Sequence, residues 1–195
     1  MSAFNHGSQS RANAYSENRC SNFTSFDPWW SEIQKVYERF DKKIARCPDF
    51  PKVVELPPSA GFLAPCHKKQ IEAKLETFAE GLLTGLRAIF ILPGTKKQLR
   101  AWNSSPTCYG QYWNSCVFLH AHPVNLGTFN LDSLRDFFLH DVLVHEIGHH
   151  LDDRKSATTK ESETFAETFV VRMRMGSLDA LRNDRQLTMQ SEAPS

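Results

Sequence analysis

The five residues from His145 to His149 have the types and spacing of a zinc-binding motif. They read His-Glu-x-x-His. On a helix, His145 and His149 lie one turn apart on the same face, so both imidazoles can bind one Zn²⁺ through ring nitrogens. Glu146 points slightly aside, where its carboxylate can take a proton from a water that the metal has activated. The pattern predicts a zinc hydrolase in which Glu146 is the general base.

The residues around this motif favour a helix. Asp132 is the predicted N-cap. A glycine inside a helix costs about 1 kcal/mol relative to alanine. Its presence at position 148 therefore indicates that the backbone of another element comes close at this point. The competing interpretation is a partly buried helix with two incidental histidines. Apolar side chains recur near a helical period at Leu134, Phe137, Phe138, Val142 and Ile147.

A catalytic zinc usually has a third protein ligand. The metzincin pattern requires a histidine six residues after His149, and that position is Lys155, which excludes the three-histidine class. Thirteen residues separate His149 from Glu163. That length allows the first helix to end near Asp153, turn through 155–159 and return antiparallel as a second helix.

The second helix is predicted from Glu161 to Val171 and is rich in glutamate. Glu163 and Glu167 are four residues apart and share a face. A carboxylate from this helix would meet the two imidazoles, and Glu161 and Glu167 compete with Glu163 for that role. The alternative for all three is a solvated helix face.

Two segments of the chain carry a resemblance to a known family. Residues 145–153 read His-Glu-Ile-Gly-His-His-Leu-Asp-Asp, and residues 163–169 read Glu-Thr-Phe-Ala-Glu-Thr-Phe. Both resemble the gluzincin metallopeptidases, and within them the group that includes the catalytic domain of anthrax lethal factor and the Pro-Pro endopeptidases. The resemblance covers about residues 107–175. That family has a catalytic tyrosine just before the second motif, whereas residues 154–162 of this chain contain none.

The resemblance implies a zincin-like fold with Zn²⁺ as the cofactor. It implies that Glu163 is the third zinc ligand and that Glu167 is a carboxylate that orients an imidazole. The strand before the metal-binding helix then lies at the sheet edge, where it can pair with an extended peptide. The segment Tyr112–Leu119 should occupy that place.

Two tyrosines are candidates for the missing catalytic group. The aromatic, β-prone stretch from Tyr109 to His120 is the best strand candidate in the chain. Tyr109 and Tyr112 are therefore candidates for substrate contact or oxyanion stabilisation, and packing is the competing role.

Further polar residues have weaker claims on the site. His120 and His122 alternate on a strand and share a face, so they form an alternative metal pair that lacks a base of its own. Asp141 and Asp152 lie close enough along the helix to accept a hydrogen bond from a ligand imidazole, with capping or solvation as alternatives. His150 points away from the two ligands, towards the surface or behind the site.

Length and composition set the frame for these elements. A chain of 195 residues suits one zincin-like metallopeptidase domain, predicted at 27–176, with a disordered polar leader at 1–26 and a flexible tail at 177–195. The net charge of +1 implies no general attraction to nucleic acid or membrane. No apolar run is long enough to span a bilayer.

The leader and the cysteines indicate a compartment. The leader lacks the apolar core of a Sec-type signal peptide. The five cysteines are scattered and include no Cys-x-x-Cys pair, as expected for reduced thiols in a cytoplasmic protein. Non-Sec secretion as an effector is compatible with the same composition.

The supporting elements give the fold class. Helices are predicted from Asp27 to about Arg46 and from about His67 to Arg87, and extended segments at Val53–Leu56 and Ala88–Leu92. The predicted class is α+β, with a small mixed sheet, an edge strand beside the His-Glu-x-x-His helix, and a second glutamate-bearing helix.

The predicted function is zinc-dependent hydrolysis of a protein or peptide substrate in extended conformation. Two alternatives stay open. One is a catalytically weak zinc-binding regulatory or interaction module, and the other is a delivered effector or toxin with the same site.

Overall fold

The computed structural model describes residues 28–44, 48, 50–79, 81–102, 108–124, 130–152 and 159–176. The predicted leader (1–26) and tail (177–195) lie outside these residues, as do Asp153 and most of the predicted turn between the two site helices. In the ranges that are described, no helix has the length and apolar character needed to cross a membrane.

A four-stranded mixed sheet forms the centre of the fold. Strands β1, β3 and β5 are parallel, and β4 runs antiparallel to β5 at one edge. A separate two-stranded sheet pairs β2 with β6. The strands are β1 (Lys52–Glu55), β2 (Phe62–Leu63), β3 (Ala88–Ile91), β4 (Gly110–Trp113), β5 (Cys116–Leu119) and β6 (His122–Pro123). Strands β3 and β5 are buried throughout, which accounts for their uninterrupted apolar sequences.

The stretch Tyr109–His120 is a hairpin and not one strand. Asn114 and Ser115 both have positive φ, 51° and 58°, as a two-residue type I′ turn requires. The edge strand is therefore β4 alone, and β5 lies inside the sheet between β3 and β4. The prediction of one edge segment at Tyr112–Leu119 was wrong for its second half, because this turn contains no glycine to signal it.

Helix α1 (Pro28–Phe40) covers one face of the sheet and ends in a 3₁₀ turn at Asp41–Lys43, before the predicted end at Arg46. Its buried Ile33 and Val36 pack against Phe90 of β3 and Phe118 of β5. Neighbouring residues of the same strands point to the other face and join the core beneath the site helices.

Helix α2 (Lys68–Leu75) is shorter than the predicted helix from His67 to Arg87. The α-helix already ends at Leu75, and the positive φ of Gly81 and Gly85, +82° and +86°, keeps it from resuming before Arg87. A short helix, α3 (Lys96–Ala101), follows β3 and is capped by Thr95, whose side chain accepts a hydrogen bond from Gln98 N–H.

The predicted metal-binding motif lies near the end of a continuous helical segment. This segment consists of α4 (Leu131–Phe137), a π-helical turn (Phe138–Val142) and α5 (Leu143–Asp152). Its N-cap is Asn130, whose side chain accepts the Ser133 N–H at 2.7 Å. The predicted cap, Asp132, lies instead in the first turn, 3.1 Å from Arg135.

The last helix, α6 (Thr159–Arg174), packs antiparallel along α5 and the π turn. Contacts run from His149 with Ser162 at one end to Asp141 with Arg174 at the other. The predicted return of a glutamate-bearing helix across the motif is confirmed.

Candidate metal centre

Helices α5 and α6 come into backbone contact at Gly148. A Cβ atom at this position would lie 2.8 Å from the Cα and 3.1 Å from the Cβ of Ala166. Two helices at that distance leave no room for a side chain between them. This confirms the close approach predicted from Gly148, and the crossing brings Glu163 to the two histidines.

Three candidate ligand atoms converge above this crossing. Nε2 of His145 lies 2.9 Å from Nε2 of His149. Oε2 of Glu163 lies 3.3 Å from the first nitrogen and 3.6 Å from the second. Among the histidine, cysteine, aspartate and glutamate side chains of the described residues, these three form the one group that can hold a metal.

These distances can be tested against zinc coordination. Tetrahedral Zn²⁺ with bonds of about 2.0–2.1 Å holds its ligand atoms about 3.3 Å apart. The three separations of 2.9, 3.3 and 3.6 Å bracket that value. The residues therefore fit a zinc ion without rearrangement of the helices.

The side chains of the three candidate ligands differ in solvent exposure. The His149 side chain is 1% exposed, that of His145 is 26% exposed, and that of Glu163 is 43% exposed. One side of the site is thus closed by protein, and the side of Glu163 is open to solvent.

The second nitrogen of His149 contacts a residue that the sequence did not single out. Nδ1 of His149 lies 3.0 Å from Oγ of Ser162, and Ser162 is fully buried. Glu167, predicted to orient an imidazole, has an exposed side chain on α6, and its contact with an imidazole stays a prediction. A signal for Ser162 was present, because it lies on the buried helix stripe of Ala166 and Phe169, where a polar residue needs a partner.

Glu146 is buried beside its neighbour His145, with 6% of its surface exposed. Its Oε2 has no hydrogen-bond partner among the described residues. A Cβ atom at Gly110 would lie 3.1 Å from Cγ of Glu146 and 2.6 Å from Cγ1 of Val142. Strand β4 therefore lies directly against α5 at the predicted base. The signal for Gly110 was a glycine at the start of an aromatic strand, which often marks close approach of another group.

Tyr112 and His150 form a buried pair between β4 and α5. The Tyr112 hydroxyl lies 3.2 Å from Nδ1 of His150, and Nε2 of His150 lies 3.1 Å from the Thr84 carbonyl. Because a carbonyl only accepts, Nε2 carries the ring proton and the Tyr112 hydroxyl donates to Nδ1. The hydroxyl considered for oxyanion stabilisation thus forms a hydrogen bond with His150, which is buried and not at the surface; the catalytic role of Tyr112 stays a prediction.

Tyr109, the other candidate tyrosine, packs in an aromatic group. Its ring centroid lies 5.1 Å from that of Phe137 and 5.9 Å from that of Phe138, both in edge-on geometry. This arrangement corresponds to the packing role considered for it.

The remaining candidates are two aspartates of the helical segment that carries the motif and the pair formed by His120 and His122. Asp141 accepts from Arg174 at 2.6 and 2.7 Å, and so ties the π turn to the end of α6. Asp152 is buried at the C-terminal end of α5, and its contact with an imidazole stays a prediction.

The alternative metal pair, His120 and His122, has other partners. Nδ1 of His120 lies 3.5 Å from Oε2 of Glu32, and Nδ1 of His122 donates to the Pro123 carbonyl at 2.9 Å.

The site thus combines two imidazoles, one carboxylate and a buried second carboxylate, all positioned by α5, α6 and β4. Comparisons with models of known families, with curated protein sequences and with solved structures gave no match. The function of the chain is therefore inferred from its own residues and geometry.

Proposed function

We propose that this protein is a zinc-dependent metallopeptidase with a zincin-like catalytic domain. The observation that carries the proposal is the convergence of Nε2 of His145, Nε2 of His149 and Oε2 of Glu163 within 3.6 Å of one another, next to buried Glu146. Two imidazoles and one carboxylate, with a fourth position left for water or substrate, are a common ligand set for catalytic zinc.

The donor types favour zinc over other divalent ions. Calcium and magnesium prefer sites made of oxygen ligands, whereas imidazole nitrogens suit zinc and other transition metals. When bound, zinc supplies a Lewis acid that lowers the pKa of water towards about 7 and polarises a substrate carbonyl.

Glu146 is the general base in this proposal. It follows His145 directly, and its buried Oε2 lacks a partner among the described residues, so this oxygen is available to accept a proton from water. The same carboxyl group then delivers the proton to the leaving amine. Burial strengthens both interactions because little bulk water competes with them.

The proposed substrate is a protein or peptide in extended conformation that pairs with β4. The His120 N–H donates to the Tyr109 carbonyl at 2.9 Å. In an antiparallel ladder the polar groups of the next residue, Gly110, then point away from β5. The Gly110 carbonyl accepts from the Cys108 thiol at 3.1 Å. A peptide along this edge would pass next to Glu146.

The test is Glu146→Gln, measured by metal content and by cleavage of a pooled peptide library. We expect wild-type zinc content, because Glu146 is not a ligand, and a rate about 10²- to 10⁴-fold lower, because the base is lost. Glu38→Gln is the matched control: it makes the same change at an exposed position of α1, on the opposite face of the sheet, and should leave both measurements unchanged.

Other outcomes separate the alternatives. Full cleavage by Glu146→Gln would contradict the proposed base. Zinc bound without Glu146-dependent cleavage would favour a binding module. In the double variant His145→Ala/His149→Ala we expect zinc to be lost, and zinc retained at the wild-type level would point to His120 and His122 instead.

A further inference from the structure

We propose that Ser162 is a positioning residue for the metal centre, which holds the His149 ring so that Nε2 faces His145 and Glu163. The inference rests on the zinc site proposed above. Its basis is the 3.0 Å contact between Oγ of Ser162 and Nδ1 of His149, between two fully buried side chains.

The proton on the imidazole links this contact to metal binding. A neutral imidazole has one ring proton, and a nitrogen that binds a metal cannot carry it. With Nε2 of His149 directed at the metal, the proton is on Nδ1, which donates it to Oγ of Ser162. Removal of the hydroxyl takes away this acceptor and one restraint on the orientation of the ring.

The position of Ser162 argues against a purely structural role. Ser162 shares a fully buried stripe with Ala166 and Phe169. Alanine would suit such a stripe better, because it favours the helix and buries no polar atom. A buried hydroxyl is unfavourable unless it forms a hydrogen bond, and the bond to His149 offsets that cost.

The chemistry of a hydroxyl distinguishes Ser162 from a carboxylate at the same place. A hydroxyl both donates and accepts, whereas an ionised carboxylate only accepts. Ser162 can therefore remain bonded to Nδ1 whichever nitrogen carries the proton, so His149 keeps this partner when zinc binds or leaves. Because the hydroxyl is neutral, Glu163 remains the one anionic ligand of the centre.

The first measurement is zinc affinity, by competition with a chromophoric chelator, for the wild-type protein and Ser162→Ala. We expect about 10- to 100-fold weaker binding in the variant, the usual effect of losing such a supporting contact. Thr164→Ala is the matched control: it removes an exposed hydroxyl from the same helix, one that donates to the Lys160 carbonyl, and should leave zinc affinity unchanged.

The second measurement is the ring N–H proton of His149, followed by NMR in zinc-saturated protein. In the wild type we expect a downfield Nδ1–H signal that exchanges slowly with solvent. In Ser162→Ala this signal should broaden or exchange rapidly. Amide hydrogen exchange along α6, measured on the same sample, should stay as slow as in the wild type if the packing is intact. Loss of the ring signal with unchanged amide exchange therefore separates positioning from structural support.

Each outcome is decisive. Weaker zinc binding together with loss of the Nδ1–H signal supports the inference. Wild-type affinity in Ser162→Ala, or a retained slow Nδ1–H signal in that variant, overturns it and leaves the metallopeptidase proposal standing. A wild-type protein that binds no zinc through His145 and His149 overturns both.

Discussion

Two glycines bring backbone from other elements against the helix that carries the site. At Gly148 the backbone of α6 comes into contact, and at Gly110 β4 itself lies against α5. A larger side chain at either position would push apart the elements that bear Glu163 and the predicted substrate edge. The distances between the candidate ligand atoms thus depend on two glycines that are not themselves ligands.

Gly148→Ala tests this dependence. Alanine favours a helix by about 1 kcal/mol, but its Cβ would lie 2.8 Å from Cα of Ala166, so we expect a net destabilisation of about 1–3 kcal/mol from overpacking. Zinc affinity should fall as well, because Glu163 moves with α6. Urea unfolding of the metal-free protein and a zinc titration measure the two effects.

The control for Gly148→Ala is Thr168→Ala, an exposed change on α6 that should alter stability by no more than about 0.5 kcal/mol. Adding Ala166→Gly to Gly148→Ala should not restore the wild type, because the nearest atom is the backbone Cα of residue 166. Wild-type stability and affinity in Gly148→Ala would show that the helices separate freely.

The family resemblance selected Glu163 over the competing carboxylates Glu161 and Glu167. The motif spacing itself predicted that His145 and His149 share one helix face, because a helix fixes their relation. It did not predict Ser162 or Gly110. Each acts through a contact with a different element, and a single serine or glycine has no spacing that distinguishes it from its neighbours. The buried stripe around Ser162 and the glycine at the start of an aromatic strand indicate a close contact, but the partner in that contact is known only from the structure.

At the scale of elements, two contacts set the position of β4 along α5. Gly110 lies at Glu146, and Tyr112 lies at His150. Two residues of a strand span about 6.8 Å and four residues of a helix span about 6 Å, so strand and helix advance together. The register of the proposed substrate edge relative to the base is therefore set by these two contacts.

Tyr112→Phe should loosen this match. The change removes the donor to Nδ1 of His150 and leaves a buried acceptor, which costs about 1–3 kcal/mol. We expect lower resistance to urea and faster amide hydrogen exchange in the hairpin of β4 and β5. Tyr109→Phe is the control, because it also removes a tyrosine hydroxyl from this segment but keeps the ring contacts with Phe137 and Phe138. It should change neither the resistance to urea nor the amide exchange. Unaltered exchange in Tyr112→Phe would show that other contacts hold the strand.

The sequence predicted the kind of each element better than its limits. The apolar spacing from Ile71 to Leu82 is helical, and these residues do enter the core, but the α-helix ends at Leu75 and the positive φ of Gly81 and Gly85 excludes its continuation. At Asn114 and Ser115 the chain reverses without glycine, so the turn was not visible in the pattern. Backbone conformation at single positions decides such limits.

At the scale of the molecule, the sheet separates two helical layers, α1 on one side and α2 with α4–α6 on the other. The buried carboxylate of Glu32 in α1 accepts the Gly94 N–H at 2.8 Å and the Gln98 side-chain amide at 2.7 Å. These bonds fix the loop after β3 and helix α3 to the layer opposite the site. The predicted metal centre thus lies on one face of the sheet, and these hydrogen bonds stabilise the packing on the opposite face.

One buried histidine gives the whole fold a pH dependence. Burial lowers the pKa of His122 below its ordinary value of 6.5. Between the two values the unfolded chain binds a proton that the folded chain does not, so the free energy of unfolding falls as pH drops below about 6.5. His122→Asn should remove this part of the loss, because asparagine does not titrate.

The measurement is urea unfolding of the metal-free protein from about pH 8 to pH 5. Above about pH 7 the unfolding free energies of the wild type and His122→Asn should differ by a constant amount. Below about pH 7 the unfolding free energy of the wild type should fall more steeply than that of the variant. A difference that stays constant across the whole range would contradict the effect. Chelation of metal keeps the contributions of the other histidines the same in both proteins.

The π turn at Phe138–Val142 interrupts the helix just before the site. A π turn holds one residue more than the α-helical turn it replaces, and one residue corresponds to a rotation of about 100°. Spacings counted from α4 into α5 therefore do not describe one continuous face. In an alignment with a protein whose corresponding helix is regular, the other sequence needs a one-residue gap opposite 138–142, or every position before it is compared with the wrong side of the helix.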